Sequence, residues 1–347
     1  MNNFAVKNSF LFSLFLFQNC IPYLYHVSTE QAKIILNRKE IPRVIESEKE
    51  ESLTKSKLKL IQTVREFAVK EIHLNPKGGF EYFTNLDREE VGWNVSASYP
   101  LKFESYTWWF PFAGTVPYKG YFDLAKAKDE EKNLIEKGFD TRVRITAAYS
   151  TLGWFSDPVL SPQLRMTEDE LVSLVIHEMS HATVYFPGDS NFNESYASFV
   201  EEEGTELFYR AHNSDKAEEV LLKRKKAKLQ SDIIISKVKE TAFKLKAMYE
   251  REDLSDTEKF EQKKKIIEEY RTEILANADK FSNFNPEKFK KTPLNNENFI
   301  GILRYHSGSK LFQDKFKEVG RDFKKFHEEM EKLKPLSVEE RAEMLKE

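Results

Sequence analysis

Cysteine is almost missing from this chain. With one cysteine in 347 residues, Cys20, no disulfide can form within it. An excess of one charge is missing as well. The 54 basic and 57 acidic residues are interspersed and leave a net charge of −3, which removes the electrostatic argument for a nucleic-acid partner. Low-complexity segments and internal repeats are absent. Long apolar runs are confined to the first nineteen residues, where Lys7 is the only charge and Phe10 to Phe17 is broken only by Ser13. That run has the length of a signal-peptide core and is too short to span a bilayer comfortably. An aromatic content of 13% argues for a folded chain, and the length allows a sizeable core.

What is present is concentrated between Leu171 and Gly204. His177-Glu178-Met179-Ser180-His181 is an H-E-x-x-H pattern. On a helix, positions i and i+4 share a face, so His177 and His181 can offer two imidazole nitrogens to one Zn2+ ion, with Glu178 beside it as the proton acceptor. Thr167 to Glu170 reads as a capping box, and Leu171, Leu174, Val175 and Met179 form an apolar stripe at helical spacing. Pro187-Gly188 is the expected stop. A catalytic zinc takes three protein ligands, and Glu194, thirteen residues after His181, is the candidate third. Asn193 is the expected N-cap of a second helix, running to about Ala211. Glu201 lies two turns further on the same face, where it can orient a histidine N–H. The blander alternative for Glu201, Glu202 and Glu203 is a solvated acidic face.

Residues 23 to 70 are mostly helical, with a short helix at Gln31 to Leu36 and a long one from Glu46 to Lys70, before a break at Asn75 to Gly79. Val91 to Ala97, Trp108 to Phe112 and Thr141 to Ala147 read as strands. Asp123 to Lys137 is a charged helix with Gly138 as its C-cap. Residues 143 to 150 are a candidate sheet edge for pairing with an extended substrate, the alternative being an ordinary inner strand. Residues 213 to 290 read as two antiparallel helices turning near Asp253 to Asp256. Their basic runs, including Lys263-Lys264-Lys265, are interleaved with glutamates and read as solvated faces. The end of the chain is helical, with Phe312, Phe316, Phe323 and Phe326 as core and a break at Gly320.

These motifs carry a resemblance. Trp93-Asn94-Val95, PYKGYF at 117 to 122, AYSTLGWFSDPVLS at 148 to 161, HEMSH at 177 to 181 and FNESYASFVEEEG at 192 to 204 resemble a bacterial family of predicted aminopeptidases. Many of its members are lipoproteins, and its zinc site resembles that of gluzincins, the thermolysin-like peptidases. The resemblance runs from about Tyr23 onward. It implies an α+β, mostly helical zincin-like fold with a small sheet and a helical hairpin insertion. It also implies one zinc ion on His177, His181 and Glu194, with Glu178 catalytic. In relatives a cysteine pair flanks the F-P-x-A-G segment; Trp109 and Thr115 stand there in this chain. The G-x-M-E-N amine-binding motif of the large gluzincin aminopeptidases is absent. The position of Cys20 resembles the lipid-modified cysteine of bacterial lipoproteins, though Phe17-Gln18-Asn19 departs from the small-residue pattern.

The expectation is therefore a signal peptide over residues 1–19 and a single peptidase domain over 20–347. Within it, 80–212 carries the sheet and metal helices, 213–290 the helical hairpin and 291–347 the C-terminal helices. A lipid on Cys20 would hold the protein at a membrane in the cell envelope, facing the periplasm or the outside. A cleaved signal and secretion, an uncleaved anchor, or a buried apolar N-terminal helix are the alternatives. The expected activity is zinc-dependent hydrolysis of peptide bonds in peptides or proteins. Tyr305 is the candidate oxyanion donor, with His306 and Tyr149 as competitors, and Glu201 or Glu202 is the candidate holder of a substrate amine. The rival readings are a zinc endopeptidase acting on envelope or extracellular proteins and a zinc-binding lipoprotein scaffold without chemistry.

Overall fold

A computed structural model describes residues 20–110, 114–146, 157–212, 215–282, 284–306 and 308–346. The chain is mostly helical with small sheets. It opens with α1 (Cys20–Leu36), β1 (Lys39–Glu40), α2 (Ile41–Glu46) and α3 (Ser52–Lys70). The expected short helix at Gln31 to Leu36 is thus the end of a longer one, and the expected helix from Glu46 is split. Glu51 is the N-cap of α3, so residues 47–51 interrupt it. Next come β2 (Tyr82–Thr84), β3 (Gly92–Ser98), β4 (Trp108–Phe110), β5 (Gly114–Val116) and β6 (Tyr118–Tyr121). Then follow α4 (Leu124–Glu136), β7 (Asp140–Thr146) and β8 (Val159–Leu160). Asp123 caps α4 by accepting from the Ala125 amide at 2.8 Å, and Gly138 ends it at φ +84°, a backbone conformation that glycine adopts without strain.

One small sheet was expected; the strands form three separate ones among the described residues, ordered β1-β2-β8, β6-β3-β7 and β4-β5. The two-residue strands β1 and β8 are too short to show alternation in sequence. β7 lies at the edge of its sheet and pairs antiparallel with β3, Arg144 opposite Asn94 and Arg142 opposite Ser96. The part of the expected substrate-pairing edge from 147 to 150 lies outside the described residues.

The helices that follow are α5 (Glu168–His181), α6 (Ser190–Ala211), α7 (Asp215–Tyr249), α8 (Asp256–Ala276), α9 (Pro286–Lys291), α10 (Asn296–His306), α11 (Ser309–Glu318), α12 (Phe323–Glu331) and α13 (Val338–Met344). The main core joins α3, α5, α6, α11 and α12. Leu171, Val172, Val175, Ile176 and Met179 meet Ile61, Val64, Phe192, Tyr196 and the four expected phenylalanines, 312, 316, 323 and 326. α5 is therefore buried along most of its length, because α3 and α6 both pack on it. Gly204 lets α6 come close. A Cβ there would stand 2.7 Å from Ile72 Cδ1 and 3.1 Å from Ile176 Cγ2. A second core unites α7, α8 and α10 through Leu245, Met248, Ile267, Tyr270 and Phe299. α7 and α8 run antiparallel, Lys237 pairing with Glu273 at 2.7 Å. Lys263 is not on a solvated face: it is buried, and its ammonium binds Asp140 and the Pro100 carbonyl, tying α8 to β7. Among the described residues no helix is long and apolar enough to cross a membrane.

Candidate metal centre

The capping box forms as expected. Thr167 Oγ1 accepts from the Glu170 amide at 3.3 Å, and Glu170 Oε2 accepts from the Thr167 amide at 2.7 Å. Arg224 of α7 steadies the same turn by donating to Asp169 at 3.0 Å and to Ser173 Oγ at 2.7 Å. α5 does not run to Pro187-Gly188. It ends at His181, with Ala182 as C-cap, so His181 occupies its last turn.

The second helix also starts earlier than its sequence suggests. Its N-cap is Asp189, not Asn193. Asp189 Oδ1 accepts from the Phe192 amide at 3.1 Å, while Oδ2 accepts from Arg341 Nε at 2.7 Å in a buried pair. Asn193 lies inside the helix and binds both backbone groups of Phe186, accepting from its N–H at 2.9 Å and donating to its carbonyl at 2.8 Å. These bonds fix the short connection from α5 to α6 and so set the distance between His181 and Glu194.

Glu194 Oε2 lies 3.5 Å from His177 Nε2 and 3.9 Å from His181 Nε2, and one ligand atom from each of the three residues falls within 4.8 Å of the others. Ligands about 2.0–2.1 Å from a tetrahedral zinc are about 3.4 Å apart, so this donor set is spaced for the ion. Two imidazoles and a carboxylate also match zinc chemically. Glu201 Oε2 sits 3.1 Å from His177 Nδ1, which leaves Nε2 facing Glu194. His181 Nδ1 is buried and has no hydrogen-bond partner among the described residues. Its ring is held by packing, meeting His177 edge-on at 5.0 Å.

Electrostatics favour a cation here. Burial alone would lower the pKa of His177, but its hydrogen bonds to Glu194 and Glu201 outweigh that and raise it well above the ordinary value. Burial lowers His181 to about 4, against the opposing charge of Glu194. Glu194 is desolvated, yet His177 and His181 hold its pKa below the usual carboxylate range. Glu178 is half-buried; desolvation pushes it up to about 7, with His177 pulling the other way and Glu194, Asp157 and Glu201 adding to the rise. A carboxylate poised near neutrality suits a proton shuttle.

The other expected residues are distributed unevenly. Tyr305 lies in the last turn of α10 beside the centre. Burial, followed by the charge of Glu194, raises its pKa, and its hydroxyl accepts from Arg144 Nη2 at 3.0 Å. His306 joins Tyr305 and Glu201 in lining a cleft of about 1260 Å³ between α6 and α7. Tyr149 and residues 1–19, with the expected signal peptide, lie outside the described residues; Cys20 opens α1. Glu201, Glu202 and Glu203 do not form one acidic face. Glu201 holds His177, Glu202 pairs with Lys228 and Glu203 with Arg321. Tyr118 of β6 was not anticipated. Burial raises its pKa first, and the charge of Glu194, the Tyr305 phenol and Glu178 raise it further, so it lies near the same centre. Its only signal in the sequence is its place in the PYKGYF segment.

No curated protein and no solved structure matches the chain. Residues 22–345 match the family described as "Putative aminopeptidase", and the chain belongs to that family.

Proposed function

We propose that this protein hydrolyses peptide bonds with one zinc ion held by His177, His181 and Glu194. The observation that carries the proposal is the convergence of those three donors at ligand spacing with Glu178 beside them, in a member of an aminopeptidase family. Bound zinc would supply the Lewis acidity that polarises a scissile carbonyl and lets water attack near neutral pH. Glu178 takes the proton from the attacking water and passes it to the leaving amine. Glu201 holds the His177 ring in its tautomer and orientation. Tyr305 or Tyr118 donates a hydrogen bond to the developing oxyanion. A lipid on Cys20 would place this chemistry at the cell envelope, on peptides or proteins found there.

An endopeptidase reading has one observation in its favour. The two glutamates expected to hold a free amine, Glu201 and Glu202, are engaged with His177 and Lys228. The test compares wild type with Glu178→Gln for zinc content and for cleavage of free and N-acetylated peptides. Equal zinc with cleavage only by wild type supports the proposal, and the acetyl preference separates exo- from endopeptidase. Absence of zinc from wild type sinks it.

A further inference from the structure

β7 and α10 lie side by side, and their side chains match in step. Two strand residues rise about 6.8 Å, and four helix residues rise about 6 Å. Arg142 and Arg144, two apart on β7, therefore share one face and meet Gly301 and Tyr305, four apart on α10. The guanidinium of Arg142 passes over Gly301, 3.6 Å from where a Cβ would stand. That of Arg144 reaches the Tyr305 hydroxyl at 3.0 Å and lies 5.4 Å from its ring centre. Behind them the buried Arg304 faces Glu297 at 3.5 Å, and one Glu297 oxygen has no hydrogen-bond partner among the described residues. Glu297 pairs with Arg304, and its charge also acts on Arg142 and Arg144. Among the described residues no carboxylate forms an ion pair with Arg142 or Arg144. Both are half-buried, and a zinc ion nearby would add more positive charge to the same region. Three guanidiniums, those of Arg142, Arg144 and Arg304, thus share one buried carboxylate, which leaves an excess of positive charge, and the planar fork of arginine matches a further carboxylate.

We propose that Arg142 and Arg144 bind a carboxylate of the substrate, one or two residues beyond the scissile bond, so that the favoured substrates are short peptides or peptides acidic at that position. The proposal rests on the hydrolytic reading above. Its reach follows from Tyr305, which accepts from Arg144 at 3.0 Å and is near enough to Glu194 and His177 to feel their charges, and from the 3.3–3.6 Å advance of an extended residue. β7, as a sheet edge, would present both arginines alongside an extended ligand.

The experiment uses the zinc-loaded wild-type protein and three tripeptides. These are a free-acid alanine tripeptide, its C-terminal amide, and an amide with glutamate as the last residue. A hydrogen bond to a charged group contributes about 1.5–3 kcal/mol, so amidation is expected to lower kcat/KM about 10- to 100-fold, mostly through KM. If the free acid alone is favoured, the site takes a chain terminus; if the glutamyl amide recovers the rate, it takes a side chain. Arg142→Gln and Arg144→Gln should each shrink the acid-to-amide ratio. Equal kcat/KM for all three tripeptides overturns the carboxylate site and leaves the peptidase reading standing. If none is cleaved, calorimetric binding of the same peptides to zinc-loaded Glu178→Gln decides: tighter binding of the carboxylate-bearing peptides supports the site, and indifference overturns it.

Discussion

Glu201 Oε2 lies 3.1 Å from His177 Nδ1, two helical turns beyond Glu194 on α6. One helix thus presents a candidate ligand and the group that fixes its neighbouring ligand. Carboxylates that orient a ligating imidazole typically contribute 10- to 100-fold to metal affinity. Glu201→Ala should therefore weaken zinc binding by about that factor, read by competition with a chromophoric chelator, while the fold melts near the wild-type temperature. Unchanged affinity would show that packing alone orients the ring.

The two phenols near the centre can be told apart. Arg144 donates to the oxygen of Tyr305, which leaves the hydroxyl proton free to point outward. A charge-assisted partner of this kind strengthens Tyr305 as a donor. Tyr305→Phe should lower kcat about 100-fold with little change in KM, in the range seen when one oxyanion donor is removed. Tyr118→Phe should cost less, and the reverse order would transfer the role to Tyr118.

The junction between α5 and α6, the helices of the candidate metal centre, depends on a contact from the far end of the chain. Arg341 of α13 binds the N-cap Asp189 at 2.7 Å, with its guanidinium carbon 4.7 Å from the Phe186 ring centre, and both ionic side chains are buried. Removing one partner of a buried pair strands the other charge, at a cost of about 3–5 kcal/mol. Arg341→Ala should lose about that much in urea unfolding. Arg321→Ala, which breaks an exposed pair with Glu203, should lose no more than about 1 kcal/mol. Equal losses would mean that Asp189 finds water when Arg341 is gone.

What could be read in the sequence was local. The capping box of α5, the i and i+4 histidines, Gly138 after α4 and the phenylalanines of α11 and α12 each follow from residues within one or two turns. What could not be read depends on partners far away in the chain. Asn193 looks like an N-cap because it opens N-E-x-x-A, but Arg341 stabilises Asp189 in that role and frees Asn193 to hold Phe186. Lys263 looks like one of three solvated lysines, yet Asp140, more than a hundred residues earlier, draws it inward. Tyr118 resembles any strand tyrosine until β6, α6 and α10 are brought together. Helical periodicity and capping encode the two helices of the candidate metal centre, whereas the surroundings of that centre are tertiary.

Acid stability has a determinant away from the centre. His327 of α12 is buried, with Nε2 2.8 Å from the Ile72 carbonyl and Nδ1 2.8 Å from the Tyr196 hydroxyl. The neutral ring satisfies both neighbours, donating from Nε2 and accepting at Nδ1, so a second proton has nothing to gain. Burial lowers its pKa to about 4, partly opposed by the Ile72 carbonyl. An unfolded chain protonates the same ring near 6.5, so between those values the unfolded state holds more protons. The stability contributed by the neutral ring is complete above about pH 6.5 and is lost as pH falls toward 4, by at most about 3 kcal/mol. His327→Gln should be less stable than wild type at pH 7, yet lose less stability between pH 7 and 4.5. Parallel losses in the two proteins would mean that His327 titrates normally in the fold and that acid acts elsewhere.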